Sequence, residues 1–218
     1  MTERPILFSL PMVRAILDGR KTKTRRVVKP QSTSVIHGKY LDQSEDGDKP
    51  TKEDRRSWHR LNEDSNYYEP IRCPYGGPGD RLWVRETWAE GGSSTQLPCG
   101  EYVWSSHLKA RYAATDNAIR DKDDSCYWRL RPSIHMPRWA SRLTLEVVSV
   151  RVERLNEISE ADARAEGYVG DGVTRHDAEA RNWFAGLWDS INAKKHPWSS
   201  NPWVWVVEFK RLEAPDAH

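Results

Sequence analysis

The chain has 218 residues, and its 34 Lys and Arg against 32 Asp and Glu leave a net charge of only +2. With 30% charged residues and a mean hydropathy of -0.83, it reads as a soluble chain long enough to bury a core, and no apolar run approaches the roughly 18 residues of a membrane helix. The charge balance is too even to demand nucleic acid as a partner.

In chain order, Ile6 to Ser9 reads as a short strand. Pro11 then opens a helix over Met12 to Asp18, because Pro suits a first turn and Met12, Val13, Ile16 and Leu17 share one face. Gly19 is its stop. Thr22 to Val28 has strand character, and strict alternation would put Lys21 and Thr24 on opposite faces. A joint role for the two therefore requires an irregular backbone near Arg20 to Thr22. Residues 31–78 are polar, charge-dense from Asp42 to Asp54 and poor in periodic apolar content, which predicts a long surface insertion. Arg81 to Trp88 is a strand with Leu82, Val84 and Glu86 on one face and Trp83, Arg85 and Thr87 on the other. Arg85 and Glu86 need partners there, in a structural pair or in a pocket.

A second insertion runs from 89 to 140, with expected strands at Tyr102–Trp104 and Ala110–Tyr112. The alternation from Leu143 to Val152 is the clearest strand signal in the chain. Ser159, with Asp162 three residues on, caps a helix through Glu166 that stops at Gly167. Glu166 then lies at a helix C-terminus, where the dipole disfavours a carboxylate and helps it to carry a proton. His176 to Asn192 has helical spacing, and its aromatic face through Trp183, Phe184 and Trp188 reads as core. The closing strand, Trp203 to Phe209, should be buried. Most of the eleven Trp are structural on this reading, with Trp83 the candidate for stacking on a planar base.

Cys73, Cys99 and Cys126 are odd in number and widely spaced, which argues against a disulfide framework and against a zinc site. They read as free thiols, and no metal or organic cofactor is expected. Met1 to Pro5 lacks a basic region followed by an apolar run, so the expected location is cytoplasmic.

The chemistry concentrates in residues 19–26, where Lys21, Thr24 and Arg26 lie within one turn or strand of each other. Desolvation and a neighbouring guanidinium both disfavour a lysine's charged form, and a neutral Lys21 is able to take a proton from Thr24. The same cluster also reads as a solvated turn or a phosphate-binding patch. Residues 1–30 hold eight Lys or Arg against Glu3 and Asp18, a basic strip suited to the phosphate of a nucleotide or RNA.

Gly19, Lys21, Thr24 and Arg26 stand in the spacing G-x-K-x-x-T-x-R, which resembles the ASCH family signature G-x-K-x-x-E-x-R with Thr24 at the usual Glu position. The run I-L-x-G-R-K-T-x-T-x-R, from Ile16 to Arg26, is similar to that of the small bacterial N4-acetylcytidine amidohydrolases of the family. Gly79 to Val84, Glu160 to Glu166 and Trp205 to Lys210 follow in the order of that subgroup. Pro5 to Thr22 also resembles the opening of prophage-encoded ASCH proteins. The resemblance covers about half of the chain, because the small enzymes lack its two interior segments.

The resemblance implies a PUA-like fold, read here as one α+β domain over residues 1–218. It would be a small curved β-barrel with flanking helices and insertions at about 31–78 and 89–140. In the family the pocket lies between barrel and early helix, which would bring Glu166 toward Lys21 and Thr24. The implied catalytic set is Lys21, Thr24 and Glu166, with Arg26, Arg85 and Trp83 as substrate-binding candidates. The implied function is removal of the acyl group from N4-acylated cytosine derivatives, with a nucleoside or nucleotide as substrate and RNA as a further partner. The alternatives are an RNA or modified-base binding module, a ribonuclease with Lys21 as base, and a phage assembly component. Neither a membrane partner nor an oligomeric state is read from the sequence.

Overall fold

The computed structural model describes residues 1–37, 57–62, 64, 67–116, 127–170 and 179–212. β1 spans Glu3–Leu7, α1 Leu10–Leu17 and β2 Lys23–Val27. Three short strands follow, β3 (Val35–His37), β4 (Trp58–Asn62) and β5 (Tyr67–Ile71). Next come β6 (Arg81–Arg85), β7 (Trp88–Gln96), β8 (Tyr102–Tyr112) and β9 (Tyr127–Arg131). The described chain closes with β10 (Thr144–Arg154), α2 (Glu160–Ala165), α3 (Glu179–Asn192) and β11 (Trp203–Leu212). The result is a mixed α+β architecture made mostly of strands.

The alternating run from Leu143 becomes the centre of a five-stranded sheet of order β1-β6-β10-β11-β2. β1 is parallel to β6, and the other neighbours are antiparallel. Alternation along β11 explains why this strand reads as an unbroken apolar run. Trp205, Val207 and Phe209 join one buried cluster with Ile6, Val13, Ile16, Leu82 and Leu145. Val204 and Val206 join another with Leu155, Ile158, Phe184 and Trp188 of the helical side. Both faces of β11 are thus covered, one by the α1 side and one by α2 and α3.

Three expectations are corrected. No ladder among the described residues joins β1 to β2, so the sheet is open where the barrel would close; instead the Arg26 side chain reaches from β2 to the Leu7 carbonyl at the end of β1, at 2.6 Å. The first insertion is not plain surface loop. Its described part forms a three-stranded sheet, β3-β4-β5, whose Val35 is buried and contributes to the main core, while residues 38–56 lie outside the described residues. The second insertion carries a further sheet, β8-β7-β9, and the two short strands expected at 102–104 and 110–112 are parts of the single strand β8. Its partner β7 holds Gly91, Gly92, Ser93 and Ser94, which carry no apolar alternation, so only the cross-strand ladder reveals the pairing.

The strand expected over Arg81 to Trp88 ends at Arg85, and Trp88 opens β7 of another sheet, but the expected faces hold, with Leu82, Val84 and the following Glu86 all buried. Glu86 accepts from Arg142 Nε at 3.0 Å and Nη2 at 3.1 Å, a structural pair. Of the cysteines, Cys73 is half-buried, which pushes its thiol up to about 11, and Cys99 is exposed. Cys126 lies outside the described residues. No helix among the described residues is long and apolar enough to cross a membrane.

Because β11 is enclosed on both faces, truncating it is expected to cost more than its size suggests. Val206→Ala, at a position with no exposure, should destabilise by about 2–3 kcal/mol through lost burial and a residual cavity. Val148→Ala, on an exposed stretch of β10, should stay within about 0.5 kcal/mol; urea unfolding of both variants checks the contrast.

Candidate active site

The backbone irregularity that a joint role for Lys21 and Thr24 requires lies between α1 and β2. Gly19 ends the helix with φ +73, and the amides of Arg20 and Lys21 both turn back to the Ala15 carbonyl, each at 2.9 Å. Lys21 then forms a single antiparallel bridge to Glu166, and Thr22 N–H donates to Ala165 O at 2.9 Å. Regular strand geometry begins only at Lys23. Gly167 makes this approach possible. Its φ is +106, and a Cβ there would lie 2.9 Å from Ala15 Cβ and 3.4 Å from Lys21 Cβ.

At the end of that turn Lys21, Thr24 and Glu166 are each 3% exposed and line one cavity of about 340 Å³, a size within the roughly 300–1,000 Å³ of small-molecule sites. Lys21 Nζ donates to Glu166 Oε2 at 2.6 Å, to Glu166 O at 3.1 Å and to Lys23 O at 2.8 Å. Its three protons are therefore all placed on oxygens, and no hydrogen bond joins it to Thr24. Burial pulls Lys21 below the ordinary lysine value of 10.5; Glu166 opposes that shift, and Arg26 and Arg25 add to it. At Glu166 the helix-end dipole expected from sequence is minor beside two cations in direct contact, Lys21 and Arg25.

The rest of the wall comes from distant parts of the chain. Leu7, Phe8 and Met12 line it from the β1–α1 segment, and Phe184, Leu187, Trp188 and Ile191 from α3. Thr87, just before β7, and Ser133, just after β9, add two hydroxyls, and through Ser133 the second insertion contributes to the cavity directly. Arg26 lies 5.3 Å from the Phe8 ring centroid and Lys21 Nζ 5.6 Å from it. Arg26 Nε is buried without a partner among the described residues, leaving a donor beside the cavity.

Two candidates are elsewhere. Arg85 spends its guanidinium on the carbonyls of Ile134 at 2.5 Å and Met136 at 3.1 Å, and lies 5.3 Å from the Trp83 ring centroid. Neither Arg85 nor Trp83 lines the cavity. Both point to the face of β6 opposite Leu82 and Val84, where their pairing is structural.

The residue that sequence reasoning missed is Arg25, whose side chain is fully enclosed. It donates to Glu166 Oε1 at 3.2 Å, to Asp162 Oδ2 at 2.8 Å and to Glu153 Oε1 at 2.5 and 2.9 Å. Asp162 also receives Lys23 at 2.6 Å and Arg151. Burial works against the Asp162 charge, but hydrogen bonds from Lys23 and Arg25 and the charges of Arg25 and Arg151 outweigh it and hold the carboxyl down at about 2. Four of the eight cations in residues 1–30 are held in ion pairs: Arg20 with Asp18, and Lys21, Lys23 and Arg25 with carboxylates from residues 153–166. The sequence signal for this was the excess cation in Arg25–Arg26, set against three carboxylates in a short later stretch. Among the described residues no group of three or more His, Cys, Asp or Glu is placed to hold a metal ion.

No protein-family model matches the chain, and no curated protein matches it. Among solved structures it is similar to an ASCH domain from Lactobacillus crispatus JV V101, at 14% identity and a TM-score of 0.36, covering 96% of this chain and 79% of that one. A likeness this distant says nothing of what the cavity does.

The Asp162 network sets an acid limit on stability. Its folded-state value of about 2 lies below the ordinary 3.8, so the stabilisation is present above about pH 4 and is lost as pH falls toward 2. Asp162→Asn should therefore unfold more easily than the parent at pH 7, and urea titrations at stepped pH should show the gap closing near pH 2.

Proposed function

We propose that the cavity is the active site of an amidohydrolase that removes the acyl group from N4-acylated cytosine compounds. The observation that carries this reading is the enclosure of an amine, a hydroxyl and a carboxyl group in one cavity, with Lys21 Nζ 2.6 Å from Glu166 Oε2. A proton shared over that distance passes from the Lys21 ammonium to the Glu166 carboxylate, giving a neutral amine and a neutral acid without moving charge to solvent. The desolvation that lowers the Lys21 value favours this exchange.

The reaction then balances as follows. Lys21 takes the Thr24 proton while the Thr24 oxygen attacks the acyl carbon. Glu166 gives its proton to N4 as the carbon–nitrogen bond breaks, and the cytosine amine leaves. Lys21 is again an ammonium and Glu166 a carboxylate, with the acyl group esterified to Thr24. Water releases it as the acid and restores the hydroxyl. Arg26, with its unpartnered Nε, supplies a fixed cation for the oxyanion or for the pyrimidine carbonyl. The aromatic and aliphatic side chains of α3 and Phe8 exclude water and hold a flat ring. A variant of the scheme has Lys21 activate water directly while Thr24 orients the carbonyl, and mass-spectrometric trapping of acyl-Thr24 separates the two.

A second reading is favoured by one observation. All three Lys21 donors rest on oxygens, the geometry of an ion pair that only holds a binding pocket together. On that reading the cavity takes a modified base or an RNA nucleotide without turning it over.

Following the ultraviolet change on incubation with N4-acetylcytidine, its nucleotide and acetylated RNA decides between these. The amidohydrolase reading expects a bell-shaped pH profile, because the working pair holds one proton: a second proton in acid occupies the Lys21 base, and loss of the last one in alkali removes the proton that Glu166 gives to N4. The alkaline midpoint should fall below the ordinary lysine value of 10.5, because burial lowers Lys21. Lys21→Met and Thr24→Ala should each lower kcat/KM by roughly 10²–10⁴-fold. Tight binding with no turnover of any form would leave only the binding reading.

A further inference from the structure

The buried charge at the site extends beyond the groups that the reaction uses. Glu166 has two carboxylate oxygens, and each has one cation: Oε2 takes Lys21 at 2.6 Å and Oε1 takes Arg25 at 3.2 Å. Arg25 is itself held from behind. Its Nε and Nη2 are on Glu153 of β10, and Nη2 is also on Asp162 of α2. Asp162 is in turn held by Lys23 and Arg151. The guanidinium is planar and its donors are fixed relative to one another, so anchoring one edge on Glu153 and Asp162 fixes where Nη1 points. That point is Glu166 Oε1.

We infer that Arg25 is a positioning residue for the proposed reaction: anchored by Glu153 and Asp162, it fixes the Glu166 carboxylate against the Lys21 amine by holding the oxygen that Lys21 does not use. The inference rests on the reading of Lys21 as the working base. Two electrostatic consequences share one sign. Without Arg25, Lys21 loses a neighbouring cation that disfavours its own charge, and Glu166 is left to Lys21 alone. Both stabilise the ammonium. The other groups around Lys21 do not compensate. Arg26 of β2 already acts on Lys21 in the same direction as Arg25 and is unchanged by its removal, α3 contributes Phe184, Leu187, Trp188, Ile191 and Asn192 to the cavity, none of them ionisable, and Ser9, Thr87 and Ser133 supply only hydroxyls.

A role confined to holding α2 against the sheet makes a different prediction, so the test needs a readout that stability alone does not move. Heteronuclear NMR of the lysine side chain, with the Lys21 signal identified by its loss in Lys21→Arg, reads the titration midpoint with no substrate present. Arg25→Gln is expected to raise that midpoint, and to move the alkaline limb of the kcat/KM profile in the same direction by the same amount. Arg25→Lys keeps a charge but a single ammonium cannot serve three carboxylates. It should restore part of the midpoint while lowering kcat more than it changes KM. A lowered Tm with an unchanged Lys21 midpoint, or the failure of both variants to fold, would make Arg25 a fold-holding residue and overturn the inference. Absence of turnover in the parent protein would instead remove the amidohydrolase reading, and the NMR midpoints would still decide what Arg25 does to Lys21.

Discussion

A buried amine paired with a buried carboxylate is the constraint on which this structure turns. Lys21 and Glu166 are each 3% exposed, and breaking a buried pair by removing one partner typically costs about 3–5 kcal/mol. Such a pair survives only where every remaining donor and acceptor is used, and that requirement organises the neighbourhood. The Lys21 ammonium takes two backbone carbonyls besides the carboxylate, which requires the chain between α1 and β2 to leave regular geometry. The Glu166 carboxylate takes Arg25, and Arg25 in turn recruits Glu153 from β10 and Asp162 from α2. One pair thus ties the early turn, the second strand, the short helix and the central strand of the sheet.

That dependence also explains what could be read in the sequence. α1, β6, β10 and β11 follow from local periodicity, because each buries a face whose pattern is written into consecutive residues. The convergence of Lys21, Thr24 and Glu166 came from motif resemblance, since no periodicity brings residue 166 beside residue 21. Arg25 was hidden because its meaning depends on carboxylates more than a hundred positions away. The basic strip of residues 1–30 is legible only in part for the same reason: charges counted along the chain do not say that Lys21, Lys23 and Arg25 meet carboxylates from residues 153–166. The sheets in the two interior segments were missed where Gly, Ser and charged residues break the apolar pattern and only ladder hydrogen bonds define the strands.

Arg85 and Glu86 illustrate the limit from the other side. Two charges in an aromatic-rich strand require partners, and the sequence states that need without saying who meets it. Glu86 is met by Arg142 from the segment before β10, and Arg85 by two carbonyls near residue 135. Both solutions are structural. The cavity is built instead by Phe8 and the apolar face of α3, a face that serves the core and the pocket at once.

The hydroxyl at position 24 has a consequence for the amine. In the ASCH signature that this chain resembles, the position carries Glu. A carboxylate there would be a second anion in the cavity of Lys21, and with Glu166 it would hold the ammonium in place. Thr24 removes that charge. The cavity is left with Lys21, Arg25 and Arg26 around the single carboxylate of Glu166, and Arg25 already draws on that carboxylate from behind. Burial first, and then Arg26 and Arg25 against the opposing Glu166, displace Lys21 toward its neutral form. On the proposed reading, the residue that leaves Lys21 without a second anion is also the alcohol that Lys21 deprotonates.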